Sequence, residues 1–208
     1  LKPSTVFVAA ISVATVIPVS MALLGIGAPS PPSLGIYTGQ DSQIEDARGD
    51  AQAALQRTSS SIIPEVKPYH DIISAGVRKA DRSFVLTVSL AGNPNLNEKY
   101  ETNYVWNLIS SDASTGNDNH YLVMLVNFAP DFNHTYQGWH YAIFDRTAGL
   151  YIVPQTKVGD MPADRVEYAI DEASIGNPSS FRYWVSVYSR VNSTSFAGEP
   201  EYLMDYAP

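Results

Sequence analysis

The sequence predicts an all-β domain: an antiparallel β-sandwich of about eight strands, jelly-roll or immunoglobulin-like, preceded by an N-terminal hydrophobic helix and a tether. Three observations point there. Short segments rich in Val, Ile, Tyr and Phe follow one another from Tyr69 to the end of the chain. Clusters of Gly, Pro, Asn and Asp separate them at the spacing of turns. Within the segments apolar and polar residues alternate with period two, as on a half-buried strand.

Taken in order, the chain opens on an export signature. No charged side chain occurs from Pro3 to Gln40, and residues 6–28 are almost wholly apolar. That run exceeds the apolar core of a signal peptide, about 7–15 residues, and reaches the roughly 20 that cross a bilayer. Residues 1–28 are therefore expected to be a cleaved signal peptide or an uncleaved signal anchor. Ser20-Met-Ala22 and Ile26-Gly-Ala28 are compatible with cleavage. Lys2 marks the inner side, which leaves the rest of the chain extracellular or on the cell surface. If uncleaved, this segment makes the membrane a partner.

Residues 29–68 read as a tether. Pro29-Ser-Pro-Pro-Ser33 favours an extended spacer. One weak helix is expected over residues 41–57. Ser42 and Glu45 have capping-box spacing, with Ile44, Ala47, Ala51, Ala54 and Leu55 as a thin apolar stripe. Gly49 weakens it.

Residues 69–208 form the expected sandwich, with strands over 72–78, 83–90, 102–109, 121–128, 139–145, 150–153, 165–170 and 181–190. Phe84, Leu86, Val88 and Leu90 share one face. The segment 121–128 is apolar on both faces, which places it centrally in a sheet. Residues 171–175 are expected to make one helical turn.

His70-Asp-Ile-Ile-Ser-Ala75, Phe84-Val-Leu-Thr-Val-Ser-Leu-Ala-Gly-Asn-Pro94 and Tyr104-Val-Trp-Asn-Leu108 resemble the N-terminal strands of DOMON-like domains, sandwiches related to family 9 carbohydrate-binding modules. Val166-Glu-Tyr-Ala-Ile170, Phe181 and Met204-Asp-Tyr-Ala-Pro208 resemble that family's last strands. The resemblance covers residues 70–208 and implies a binding or structural module, with sugars, haem or other ligands as its cargo. Export segment, tether and domain together resemble the layout of archaeal surface proteins.

Composition narrows the chemistry. Thirteen Lys and Arg against 21 Asp and Glu give a formal charge of -8, which offers no footprint for nucleic acid. There is no cysteine, hence no disulfide, thiolate nucleophile or cysteine-ligated metal. No G-x-S-x-G, H-E-x-x-H or phosphate-cradling glycine loop occurs, so a non-catalytic protein without a cofactor is expected. Haem needs two axial ligands. Met124 and the four histidines (His70, His120, His134 and His140) fall in no recognisable motif for it. The Asx-rich loop 112–120 and Asp131 and Asn133 are read as turn formers rather than calcium ligands.

The candidate ligand site is aromatic. If Phe181, Tyr183, Val185 and Val187 face the core, Trp184 and Tyr188 lie together on the other face, flanked by Arg182 and Arg190. Such a surface suits stacking on a sugar ring, with hydrogen bonds to its hydroxyls. Trp139 and His140 are candidates from another strand, whereas Trp106 is expected in the core. Asn133 and Asn192 begin glycosylation sequons. The leading reading is a carbohydrate-binding surface module. A structural envelope protein that packs against other envelope proteins is the alternative, with a haem electron carrier third.

Overall fold

A computed structural model describes residues 34–55, 63–111, 118–130, 137–190 and 201–207. They form twelve strands: β1 (Gly35–Tyr37), β2 (Ser42–Glu45), β3 (Ala54–Leu55), β4 (Ile72–Ala80), β5 (Ser83–Leu90), β6 (Glu101–Ser111), β7 (Asp118–Phe128), β8 (Gly138–Asp145), β9 (Leu150–Lys157), β10 (Arg165–Asp171), β11 (Phe181–Arg190) and β12 (Glu201–Ala207). An eight-stranded sheet runs β3-β12-β11-β6-β7-β8-β9, with β1 also paired to β11. A four-stranded sheet runs β10-β5-β4-β2. Every pairing is antiparallel.

All eight expected strands are present, and the expected turn after β10 is a 3-10 turn, Glu172–Ile175. Asp171 caps it by accepting the Ala173 N–H at 2.9 Å, and Gly176 closes it in the left-handed region. As expected, β7 lies inside its sheet, between β6 and β8.

Residues 41–57 depart from the expected helix. Their described part forms β2 and β3, and Gly49 has a φ of 85° that interrupts any helix. The Ser42/Glu45 spacing serves other bonds. The Ser42 hydroxyl meets the Tyr183 hydroxyl at 3.1 Å, and Glu45 accepts from Gln43. Pairing to β4 places the Ile44 side chain against the core, which a thin helical stripe could not match. Part of the expected tether thus belongs to the sheets. The segment 1–28 lies outside the described residues; among those described, no helix is long and apolar enough to cross a membrane.

One core fills the space between the two sheets. Ile72, Val77, Phe84, Leu86, Val88 and Val166 come from the smaller sheet, and Tyr104, Trp106, Val123, Leu125, Trp139, Ile143, Tyr183 and Val185 from the larger. Each such apolar side chain, fully removed from water, stabilises the fold by roughly 1.5–3 kcal/mol. Tyr37, Phe84 and Phe181 pack with ring centroids 5.0–5.2 Å apart. Trp106 is fully buried here, as expected. The outer face of the larger sheet carries a second buried cluster: Val105, Leu122, Met124, Val126, Phe128, Ala142, Tyr188 and Leu203.

Candidate ligand groove and carboxylate cluster

The core-facing alternation of β11 holds, because Phe181, Tyr183, Val185 and Val187 are all buried in the main core. The opposite face does not form the expected aromatic platform. Trp184 is half-buried, while Tyr188 is 4 % exposed and packed in the outer cluster. The flanking arginines are engaged as well. Arg182 Nη2 lies 3.0 Å from Asp118, and Arg190, itself buried, pairs at 3.4 Å with the buried Glu101. Period two correctly assigns faces, but it carries no information on whether a second face is covered.

Trp139 and His140 are buried too. The Trp139 ring stacks on Tyr104 with centroids 5.8 Å apart, so that face is occupied. His140 packs edge-on against Phe128 and places Nδ1 3.2 Å from the Gly138 carbonyl; burial lowers its pKa. Met124 is buried in the outer cluster. Asn133, Asn192, His134 and residues 112–117 and 131 lie outside the described residues.

The Trp139 position nonetheless leads to a groove of about 470 Å³ at one end of the sheets. Its described lining includes Asn95, Asn97, Glu98, Asn127, Trp139 and Asp160. The sequence builds it from the turn after β5. Asn93 caps the 3-10 turn Pro94–Leu96 by accepting the Asn95 N–H at 3.0 Å. Asn95 then ties three segments together. Its Oδ1 accepts from Trp139 Nε1 at 2.8 Å and from the Met161 N–H at 3.0 Å, and its Nδ2 donates to the Met161 carbonyl at 2.7 Å.

Asn97 Nδ2 donates to the Asn127 and Tyr100 carbonyls, and Asn127 Nδ2 donates to the Pro94 carbonyl at 2.8 Å. These amides hold the walls in one arrangement, so little ordering remains to be done on binding. Glu98 and Asp160 are exposed on the rim and can accept hydrogen bonds from a ligand.

A second group of polar side chains lies where the segment after β2 runs against β12. Asp46, Asp50 and Asp205 bring carboxylate oxygens within 4.8 Å of one another. Burial, reinforced by the neighbouring carboxylates, raises the Asp205 pKa to about 7 and that of Asp46 to about 6. Asp205 accepts the Ile72 N–H at 2.7 Å and the Tyr206 N–H at 2.9 Å. Asp46 accepts the Ala47 N–H through Oδ1, while its buried Oδ2 has no partner. Asp71, whose two oxygens accept the Gly49 N–H, is near enough to help raise the Asp46 pKa. Three carboxylates are fewer than the six to eight oxygens around calcium. They are the residues that could contribute to holding a hard cation.

No family model, curated protein or solved structure matches the chain. The groove asparagines and the carboxylates escaped sequence reasoning. Asn93-Pro-Asn95 did signal a turn there, but not that its amides would line a groove. Asp46 and Asp205 are 159 residues apart in sequence and meet only through strand pairing.

Proposed function

We propose that the domain is a non-catalytic binding module whose ligand, a carbohydrate or similarly polyhydroxylated molecule, sits in the groove between Asn95, Glu98, Trp139 and Asp160. The observation that carries this reading is the braced polar groove itself. Its rim offers carboxylate acceptors suited to hydroxyl donors, and its walls are fixed by amide hydrogen bonds. The resemblance of residues 70–208 to carbohydrate-binding sandwiches supports the same reading, as does the packing of two antiparallel sheets on one core. Recognition here rests on hydrogen bonding, since no exposed Trp184/Tyr188 pair is available for stacking.

Calorimetric titration of the full chain with an oligosaccharide panel tests it, alongside Glu98→Ala and Asp160→Ala. Both side chains are exposed, so the variants keep the fold. Saturable binding weakened several-fold in each variant is expected. Absence of binding across the panel, or variants that bind like the parent, would overturn the groove as the seat.

A further inference from the structure

The amides that brace the ligand groove also determine which hydrogen-bonding groups it has left for a ligand. Asn95 Nδ2 donates to the Met161 carbonyl at 2.7 Å and to Asn93 Oδ1 at 3.0 Å. Asn95 Oδ1 accepts the Trp139 Nε1–H and the Met161 N–H, so the indole donor is engaged as well. Asn97 Nδ2 donates to the Tyr100 carbonyl and, at 2.8 Å, to the Asn127 carbonyl. Asn127 Nδ2 donates to the Pro94 carbonyl at 2.8 Å. A backbone carbonyl can only accept, which fixes the end of each amide that faces the wall. An amide nitrogen has two hydrogens to give. Both are used at Asn95 and at Asn97, and one is used at Asn127.

The groups left over are acceptors. Asn127 lines the groove and is 5 % exposed, and its Oδ1 has no hydrogen-bond partner among the described residues. A buried amide oxygen of this kind is satisfied by a donor that enters from the groove. Asn97 Oδ1 meets the Tyr69 hydroxyl only at 3.5 Å, the outer limit of a hydrogen bond, so it too can accept. The charged residues of the described lining, Glu98 and Asp160, are both anionic and both exposed. A carboxylate only accepts, at about four lone-pair positions. Lys99, next to Glu98 in sequence, is turned over the Tyr100 ring, 5.1 Å from its centroid.

This balance discriminates among polyhydroxylated ligands. A neutral sugar hydroxyl both donates and accepts, and its accepting half finds little to meet on the described lining. An acidic sugar would bring like charge to Glu98 and Asp160, which is unfavourable. An ammonium group donates three hydrogens, accepts none and carries the complementary charge.

We propose that the ligand of this groove is an amino sugar in its free-amine form, whose ammonium group is recognised by the Glu98 and Asp160 carboxylates and the Asn127 amide oxygen. The inference deepens the groove reading and rests on it. N-acetylation of the sugar removes recognition, because it replaces a charged donor with a neutral amide.

The test is calorimetric titration of the full chain at pH 6 with three β-1,4-linked tetrasaccharides: those of glucosamine, N-acetylglucosamine and glucose. Spermidine supplies ammonium groups without hydroxyls. The glucosamine oligomer is expected to bind about tenfold more tightly than either other oligomer, since two exposed charge pairs contribute a few-fold each. Added salt should narrow that preference. The double variant Glu98→Gln, Asp160→Asn keeps the size of two exposed side chains and hence the fold, and it should bind all three oligomers alike. Equal binding of the three oligomers by the parent would overturn the amine and leave the groove reading in place. Binding of none would overturn both. A preference that survives the double variant places the ammonium group elsewhere and overturns the proposal. So would spermidine binding as tightly as the glucosamine oligomer, because charge alone would then account for the affinity.

Discussion

His70 gives a sharp test because its ring is buried, neutral and tied to the backbone of the turn that precedes β4. Its Nδ1 accepts the Lys67 N–H at 3.1 Å, which leaves the proton on Nε2, buried without a partner. Protonating Nδ1 would break that bond and place a charge in the core beside Lys67. Burial first, and Lys67 second, lower the His70 pKa from 6.5 to about 3. Below pH 6.5 the unfolded chain takes up a proton that the folded chain refuses. Stability contributed by neutral His70 is thus complete above pH 6.5 and lost as pH falls from there toward 3.

Between pH 8 and pH 5 the loss is about 1.5 pH units at 1.36 kcal/mol each, or about 2 kcal/mol. His70→Gln removes this titration together with the Lys67 bond, a net loss of about 1 kcal/mol at any pH. Urea unfolding at pH 5, 6, 7 and 8 should therefore show the variant about 1 kcal/mol less stable at pH 8 and about 1 kcal/mol more stable at pH 5. Taking the difference between the two proteins cancels the other titrating groups. A gap that is constant with pH, or wider at pH 5, refutes the buried neutral imidazole.

The carboxylate cluster has the opposite sign. The folded Asp46 pKa is raised from 3.8 to about 6, so its contribution to stability falls as pH rises through that window. Asp46→Asn should gain on the parent in melting temperature at pH 8 relative to pH 5. The gain is under about 1 kcal/mol because the group is partly screened by solvent; an equal difference at both pH values counts against it. Arg190→Met should destabilise by about 3 kcal/mol in chemical unfolding because it strips the buried Glu101 of a charged partner. The exposed Arg182→Met should cost under about 1 kcal/mol, and equal losses would contradict the difference in burial. Gly35→Ala would bring a Cβ to 2.5 Å from the buried Tyr183 ring, so a loss of about 1–3 kcal/mol is expected. A neutral effect there would mean that β1 does not pair with β11.

Alternation in residues 83–90 and 181–190 was sufficient to place β5 and β11 and to assign their core faces, because side-chain direction in a strand is local. Local pattern also marked the turn 171–175. It failed over residues 41–57, where Ser42-Gln-Ile-Glu45 is too short for either period to show and the ladder to β4 decides the outcome. The candidate site was less legible for a similar reason. The sequence reads Trp139, Tyr188 and Arg190 as ligand-binding residues, yet all three are buried; exposure depends on what packs above a side chain, and tertiary packing leaves no periodic trace. Only the Trp139 position leads to the groove, through a bond to Asn95 that crosses 44 residues of sequence.

The chain contains three tryptophans, each in a different environment: Trp106 in the core, Trp184 at the outer face and Trp139 at the groove. Their indole N–H resonances in the full chain, followed during titration with the oligosaccharide panel, distinguish the possible seats directly. Ligand in the groove should shift the Trp139 signal saturably through its bond to Asn95, leaving Trp106 and Trp184 unmoved. A saturable shift of Trp184 with Trp139 unchanged would contradict the account and return the ligand to the outer face.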